Sequence, residues 1–359
     1  MGSLRFILAL AVLLSHAGST YVLIGGRLAV HLFYVISGFL ISYILIEKKA
    51  YSKISNFYIN RYLRLYPIYF VVAILTLLAI TLGSFGVIEK YPYFEFTKNA
   101  PFSANLLLIF SNITLFFQDL VMFLSVVNNH LVFSADISKS EINMWQALLL
   151  PQAWTLSLEL NFYLITPFFL SKRKILISLF LLSLALRIYL YSIGLEKNEY
   201  WSNRFFPTEL CFFLLGSLSH QIILPIYYKI LSKKYLDKYA YLATYALILI
   251  VIIFWDIPIQ QEVKTILLFC LFPMLLPLAF LFQSKRGWDR IIGELSYPLY
   301  ICHILVIYII EIIFYKLDIE SKILKINAAV IFSICFSIIL NIYINNPIEL
   351  LRNRYKKIL

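Results

Sequence analysis

Two arginines, three residues apart, are the first residues in this sequence whose types and spacing could do chemistry. Arg61 and Arg64 lie in FYINRYLRLYPIYF, a tyrosine-rich stretch that leads into an apolar segment. Residues i and i+3 share one face of a helix, and a guanidinium offers a planar fork that can bind two phosphate oxygens at once. The pair therefore indicates either a phosphate site or two anchors at a membrane edge, where basic side chains are common.

One histidine lies deep inside the first apolar segment. His16 follows Leu4 by twelve residues, which corresponds to about 18 Å along a helix. That is beyond the middle of a hydrocarbon core about 30 Å thick. An ionisable residue at this depth points to function, and histidine is well suited to take a proton from a hydroxyl. The alternative interpretation is a neutral histidine hydrogen-bonded to a neighbouring helix.

Two more apolar segments carry polar side chains that could line a site between helices. Glu159 lies in AWTLSLELNFYLITP together with Trp154 and Tyr163, and His303 lies in ELSYPLYICHI. Each of these residues alone is more often structural than catalytic. Because ionisable groups in apolar segments are costly, their number in one chain favours a polar site inside a helix bundle.

The composition determines the class of protein that must position these residues. Of the 359 residues, 61% are hydrophobic and only 14% are charged, whereas soluble domains carry about 25% charged residues. The net charge of +12 is explained by the basic cytoplasmic loops of a membrane protein. No nucleic-acid partner is expected. The four cysteines lack a metal-binding or disulfide spacing. The chain is predicted to be a polytopic helical membrane protein.

Apolar segments and basic residues together predict the topology. The basic residues concentrate after the second, fifth, seventh and ninth apolar segments and at the end of the chain, so these loops and both termini are expected to be cytoplasmic. The eleven apolar segments are 4–20, 28–46, 60–83, 103–127, 151–170, 175–193, 205–226, 239–255, 263–283, 291–312 and 325–345.

One of the eleven segments cannot cross the membrane. The loops after the second and fifth segments are both predicted inside, yet three apolar segments lie between them. The segment 103–127 carries Asn105, Asn112, Gln118 and Asp119, so we interpret it as re-entrant or interfacial. The predicted fold is all-α, with about ten transmembrane helices and residues 84–150 outside. Residues 1–359 form one membrane domain in this interpretation, with no appended soluble domain.

The order of the motifs resembles the bacterial acyltransferase-3 family of integral membrane acyltransferases over nearly the whole chain. LRFILALAVLLSHAG is similar to the family's opening helix with its histidine, here His16, and FYINRYLRLYPIYF is similar to its R-x-x-R motif. The other stretches that resemble family motifs are HLFYVISGFLI, AWTLSLELNFYLITP, FFPTELCFFLLG and ELSYPLYICHI.

The resemblance implies a reaction and assigns roles. Family members join acyl groups, usually acetyl from acetyl-coenzyme A, to sugar hydroxyls of cell-surface glycans such as O-antigen or capsule. His16 would be catalytic, Arg61 and Arg64 would bind the coenzyme A donor, and no metal is expected. The residues that would support the site or bind the acceptor are Trp154, Glu159, Tyr163, Ser296, Tyr297 and His303.

The resemblance also implies partners and a location. The expected partners are the lipid bilayer, acyl-coenzyme A and a glycan acceptor, either free or lipid-linked, and the expected location is the bacterial cytoplasmic (inner) membrane. A polysaccharide polymerase or ligase, or a glycan transporter, is the alternative function, because such proteins are also polytopic. Against a transporter, the two halves of the sequence show no corresponding broken helices. Against a polymerase, the region 84–150 is not enriched in basic residues.

Overall fold

A computed structural model describes residues 1–83, 93–135, 142–195 and 198–356. The predicted outer region 84–150 includes residues 84–92 and 136–141, and the predicted single domain also includes 196–197 and 357–359. These four stretches lie outside the described residues.

The described chain is almost entirely helical. Several helices continue through a short π-helical turn, at Tyr43–Glu47, Ser219–Ile223 and Asn341–Asn345. The helices are α1 (Gly2–His16), α2 (Gly26–Ser42), α3 (Ile54–Gly83), α4 (Tyr93–Asn99), α5 (Phe102–Thr114), α6 (Gln118–Val121), α7 (Trp154–Phe169), α8 (Arg173–Ser192), α9 (Glu199–Asn203), α10 (Phe206–Leu218), α11 (Leu224–Ile230), α12 (Lys233–Ile253), α13 (Gln261–Ser284), α14 (Gly287–Glu294), α15 (Ser296–Lys316), α16 (Lys322–Leu340) and α17 (Asn346–Asn353).

The prediction of a polytopic helical membrane protein is confirmed. Eight helices within the described residues are long and apolar enough to cross a membrane, so the predicted ten is approximate. The two other predicted spans are shorter, since α1 has 15 residues and α7 has 16. The eight are Gly26–Glu47, Ile54–Leu82, Arg173–Ser192, Glu199–Ile230, Lys233–Asp256, Gln261–Ser284, Gly287–Lys316 and Lys322–Asn353.

The segment 103–127 is not one continuous helix. Helix α5 ends at Leu115, whose φ of 69° lies in the left-handed region, and the short α6 follows. Residues 124–127 then form a strand. A separate small apolar core, built around Phe96, Leu108 and Met144, holds this part of the chain together. Because α5 has 13 residues, it reaches only about 20 Å, which is too short for a hydrocarbon core about 30 Å thick.

A small antiparallel sheet in this region was not predicted. Its strands are β1 (Leu124–Val127), β2 (His130–Phe133) and β3 (Ile142–Asn143), in the order β2-β1-β3. Val127 pairs with His130, so the β1–β2 turn has two residues, Asn128 and Asn129, with φ of 49° and 60°. Two-residue hairpin turns with positive φ favour asparagine and glycine. The Asn-Asn pair was therefore a signal for this hairpin.

Two glycines allow α2 and α10 to pack with their backbones in close contact. A Cβ on Gly38 would lie 1.8 Å from the carbonyl oxygen of Phe213, and one on Gly216 would lie 1.8 Å from that of Val35. Only glycine fits at such distances, and small residues at helix contacts serve this purpose in membranes. Gly38 thus sets the α2–α10 crossing, which holds in place α2, a helix that lines the site.

Helix α1 lies at the centre of the bundle, against α2, α14 and α15. Its N-terminal end is held by Asp289, whose carboxylate accepts hydrogen bonds from the backbone N–H of Gly2 at 2.7 Å and of Ser3 at 2.8 Å. The side chain of Asp289 is fully buried. A Cβ on Gly2 would lie 1.7 Å from the carbonyl oxygen of Asp289. The position and tilt of α1 are therefore fixed by α14.

The topology around α5 can be tested with single cysteines in a cysteine-free protein. Lys98 precedes α5, His130 follows it, and both side chains are exposed. If α5 does not cross, Lys98→Cys and His130→Cys should both react with an impermeant thiol reagent added outside the cell. Lys234→Cys, in a predicted cytoplasmic loop, is the matched control and should react only after permeabilisation. Labelling of Lys98→Cys and His130→Cys from opposite sides would contradict the topology.

Candidate active site

Six of the nine predicted site residues meet in one cavity, the arginine cavity, with an empty volume of about 730 Å³. Helices α1, α2, α3, α7 and α15 contribute its walls. The six predicted residues are Arg61, Arg64, Glu159, Tyr163, Ser296 and Tyr297, and the other lining residues are Arg5, Val30, Phe33, Tyr34, Ile36, Ser37, Leu40, Ile41, Leu65, Thr155, Leu156 and Tyr300.

Arg61 is held so that part of its guanidinium group has no partner. The side chain is buried, and Nη2 donates to Tyr51 Oη at 3.0 Å and to Asn60 Oδ1 at 2.8 Å. Its Nε and Nη1 atoms are buried without a hydrogen-bond partner among the described residues. Unpaired buried N–H groups of a cation are unfavourable. An anion in the cavity would satisfy them.

Glu159 is the acidic residue of this cavity. Its Oε1 atom accepts hydrogen bonds from Ser37 Oγ at 2.6 Å and from Tyr163 Oη. The carboxylate is thereby held on the α2–α7 wall, and it does not contact His16.

Arg5 also lines this cavity, although no site role was predicted for it from the sequence. It brings the number of arginines in the cavity to three, against one carboxylate. Further positive charge lies close by, because Arg352 of α17 donates from Nε to the Asn60 carbonyl oxygen at 3.2 Å. After α17, burial lowers the pKa of Lys356, and the charge of Arg352 lowers it further. The cavity and its surroundings therefore form a strongly positive region.

A second cavity, the histidine cavity, lies at the other end of α1 and has an empty volume of about 1190 Å³. His16 is exposed in it, and Trp154, at the start of α7, also lines it. The remaining lining residues are Val12, Ser15, Gly26, Arg27, Val30, His31, Met122, Trp145, Pro151, Gln152, Glu199, Asn203, Arg204, Tyr300 and Ile304.

Hydrogen bonds assign the tautomers of His16 and of His303, which lies beside it. His303 Nδ1 is 2.6 Å from the Tyr300 carbonyl oxygen, and His16 Nδ1 is 2.9 Å from the Val12 carbonyl oxygen. Carbonyl oxygens only accept, so both Nδ1 atoms carry hydrogen. His303 Nε2, 3.2 Å from His16 Nδ1, is then an acceptor for the same N–H. The neutral His16 ring is left with its lone pair on Nε2, which can take a proton.

A buried charged cluster supports the wall of the histidine cavity. His31 Nε2 lies 3.1 Å from Glu209 Oε2, and the other carboxylate oxygen of Glu209 pairs with Arg187 at 2.7 Å. The His31 ring stacks on Phe212 with 4.3 Å between centroids. Sequence reasoning assigned no role to His31. The contact between His31 and Glu209 joins α2 to α10, which gives His31 a structural role.

The two cavities adjoin. Val30 and Tyr300 line both, and α1 runs from one to the other, with Arg5 in the first and His16 in the second. Eleven residues separate Arg5 from His16, so they are about 16 Å apart along the helix axis. A long, thin molecule with an anionic end could therefore occupy both cavities at once.

The structure separates the predicted site residues into two groups. His16 and Trp154 line the histidine cavity, and His303 contacts His16 from outside the cavity lining. The other six line the arginine cavity. Ser157, from the same motif as Glu159, lines neither and instead donates to Asp119 Oδ1 at 2.7 Å. Burial raises the pKa of Asp119, while hydrogen bonds from Ser157 and Asn161 act in the opposite direction.

Comparison with known proteins identifies the family. The family model described as an acyltransferase domain matches residues 2–342. The chain belongs to the acyltransferase-3 family. It is thus a membrane acyltransferase, and both cavities lie within the helices that the family model covers. No curated protein and no solved structure shows a significant match to the chain.

The tautomer assignment predicts how His16 and His303 contribute to acyl transfer. His16→Gln should lower the transfer rate by about 10²–10⁴-fold, because glutamine cannot accept a proton at neutral pH. His303→Leu should cost less, since it removes one of the two acceptors for the His16 Nδ1–H, leaves the Val12 carbonyl oxygen as the other, and leaves His16 Nε2 in place. The double variant should be no slower than His16→Gln, because the two rings act as a unit. Steady-state transfer rates of purified protein provide the measurement.

The matched control is His220→Gln. His220 is also buried, and it bonds Ser42 at 2.9 Å and Glu47 at 3.0 Å, but it lines neither cavity. This variant should retain transfer. Near-normal transfer by His16→Gln, or losses that multiply in the double variant, would show that the paired rings are only structural.

Proposed function

We propose that this protein is an O-acetyltransferase of the bacterial cytoplasmic membrane, which moves an acetyl group from cytosolic acetyl-coenzyme A to a sugar hydroxyl of a cell-surface polysaccharide. The observation that carries the proposal is the arginine cavity, in which Arg61 Nε and Nη1 have no hydrogen-bond partner among the described residues, and which shares Tyr300 with the cavity that contains His16.

The arginine cavity suits the phosphates of coenzyme A. Three arginines face one carboxylate there, and guanidinium groups bind phosphate through paired hydrogen bonds. The charge distribution of the sequence favours a cytoplasmic position for Arg61 and Arg64, and coenzyme A is made in the cytosol. In this proposal the nucleotide binds among the arginines and the flexible pantetheine arm extends past Tyr300 towards His16.

The histidine cavity suits the acceptor. It is covered by the segment that contains Trp145 and by α9, both of which belong to regions that the charge pattern places outside. The acceptor oxygen attacks the thioester carbonyl carbon while His16 Nε2 takes the hydroxyl proton. The tetrahedral intermediate then collapses, the C–S bond breaks, and the leaving thiolate receives that proton from His16. The ester and free coenzyme A are the products.

Donor binding tests this proposal. Arg61→Ala and Arg64→Ala should each weaken the binding of labelled acetyl-coenzyme A about tenfold or more, because each loses a charge-assisted hydrogen bond to phosphate. Arg64→Lys should restore affinity only in part, since an ammonium group lacks the planar fork. Affinities are measured on purified protein in lipid nanodiscs.

Arg173→Ala is the matched control. Arg173 lies at the start of α8, in another loop that is predicted cytoplasmic, and its exposed guanidinium donates to the Gln221 carbonyl oxygen at 3.0 Å. It lines neither cavity, so its removal should leave donor affinity unchanged. Unaltered affinity in a correctly inserted Arg61→Ala/Arg64→Ala protein would reduce the pair to membrane anchors.

A further inference from the structure

Five side chains that line the histidine cavity carry a buried polar atom with no hydrogen-bond partner among the described residues. One is His31, whose Nε2 faces Glu209 Oε2 at 3.1 Å. The other four atoms are Trp145 Nε1, Gln152 Oε1, Asn203 Oδ1 and Arg204 Nε, and Gln152 and Asn203 are 4% and 3% exposed. Folded proteins leave few such groups. Four around one cavity therefore point to a ligand that supplies the missing partners.

These four atoms have a mixed hydrogen-bonding character. Trp145 Nε1 and Arg204 Nε are donors, whereas the amide oxygens of Gln152 and Asn203 are acceptors. Phosphate and carboxylate oxygens only accept, so an anion would leave both amide oxygens unpaired and would be repelled by them. A hydroxyl group donates and accepts. The set therefore fits a molecule with several hydroxyl groups.

The charge of Arg204 is already balanced within the protein. Its Nη2 atom pairs with Glu199 at 3.2 Å, and the guanidinium stacks over Tyr200 at 4.5 Å and over Trp154 at 5.4 Å from the ring centroids. An anionic ligand is thus not needed to neutralise Arg204. What this side chain still offers the cavity is one hydrogen bond from Nε, in a fixed orientation.

Aromatic rings supply the other surface that such a ligand would need. Trp145, Trp154 and Tyr300 all line the histidine cavity. Aromatic rings combine a flat apolar surface with a polar edge, and a pyranose ring has apolar faces and hydroxyl groups around its rim. An acyclic polyol has no such faces. The wall of the cavity thus favours a cyclic sugar.

We propose that the histidine cavity contains a subsite for one neutral hexopyranose ring of the acceptor. Trp145, Gln152, Asn203 and Arg204 bind its hydroxyl groups, and one further hydroxyl faces His16. The direction of acyl transfer rests on the function proposed above. Binding of the sugar ring does not rest on that function, because the ring can bind without the donor and without any acyl transfer.

Binding is measured without donor, by saturation-transfer NMR of methyl hexopyranosides with the protein in nanodiscs. Trp145→Phe keeps an aromatic ring but removes the pyrrole part of the indole with its N–H, and Asn203→Leu keeps the size and removes the amide. Each should weaken binding about three- to tenfold, which is the effect of one neutral hydrogen bond. Trp201→Phe is the matched control, because Trp201 Nε1 already donates to the Ala135 carbonyl oxygen at 2.9 Å and lines neither cavity. It should bind like the unaltered protein.

Three results would overturn the subsite: no binding of any methyl hexopyranoside, equal affinity in all variants, or glycerol binding as well as the hexopyranosides. A separate assay follows coenzyme A release and acetylated sugar with acetyl-coenzyme A present. If the sugars bind as expected but no acetyl group is transferred by the unaltered protein, the proposed function fails while the subsite stands.

Discussion

The carboxylate of Asp289 accepts the first backbone N–H groups of α1, and the geometry of both cavities depends on the helix that this contact holds. In an apolar environment those N–H groups would otherwise be unsatisfied, at a cost of several kcal/mol each. Gly2 leaves no room between α1 and α14, since a Cβ there would be 1.7 Å from a carbonyl oxygen. A shift of α1 would move Arg5 and His16 together, because one short helix carries both.

This shared helix explains how a charged donor and a neutral acceptor can react inside a bilayer. Cations collect at one end of α1, where Arg61 and Arg64 join Arg5, and His16, the proposed proton acceptor, lies at the other end. Among the described residues, only Val30 and Tyr300 line both cavities. In the proposed reaction the phosphates therefore need not enter the part of the bundle where the hydroxyl is deprotonated, and only the pantetheine arm with its thioester passes Tyr300.

The spacing of residues in the sequence predicted those parts of the site that lie within a single helix. The Arg61–Arg64 pair and the depth of His16 were visible in single helices, and the apolar segments predicted most of the membrane helices. The contact of His16 with His303 joins residues 287 positions apart, and no local pattern encodes it. The β1–β2 hairpin was missed although Asn128-Asn129 signalled it, because the apolar character of 103–127 outweighed the turn.

Other site residues were missed because residues of their types are common at such positions in a membrane protein. Arg5 looked like one more basic residue near a terminus, and Trp145 and Asn203 lie in short connecting segments. Arg5 becomes a site residue only when the fold brings α1 beside α3, and Trp145 and Asn203 only when it leaves their polar atoms buried and unpaired beside a cavity. The unpaired state is a property of the whole bundle, so it cannot be inferred from any one stretch of sequence.

The central claim is that one donor molecule spans both cavities, with its phosphates at Arg61 and its acyl group at His16. A structure with a non-reactive acetyl-coenzyme A analogue, in which the thioester sulfur is replaced by a methylene group, tests this most directly. The account predicts phosphate oxygens within hydrogen-bond distance of Arg61 Nε and Nη1, and the acyl carbonyl beside Tyr300 on the side of His16 Nε2. Phosphates bound in the histidine cavity, or an acyl group remote from His16, would contradict it.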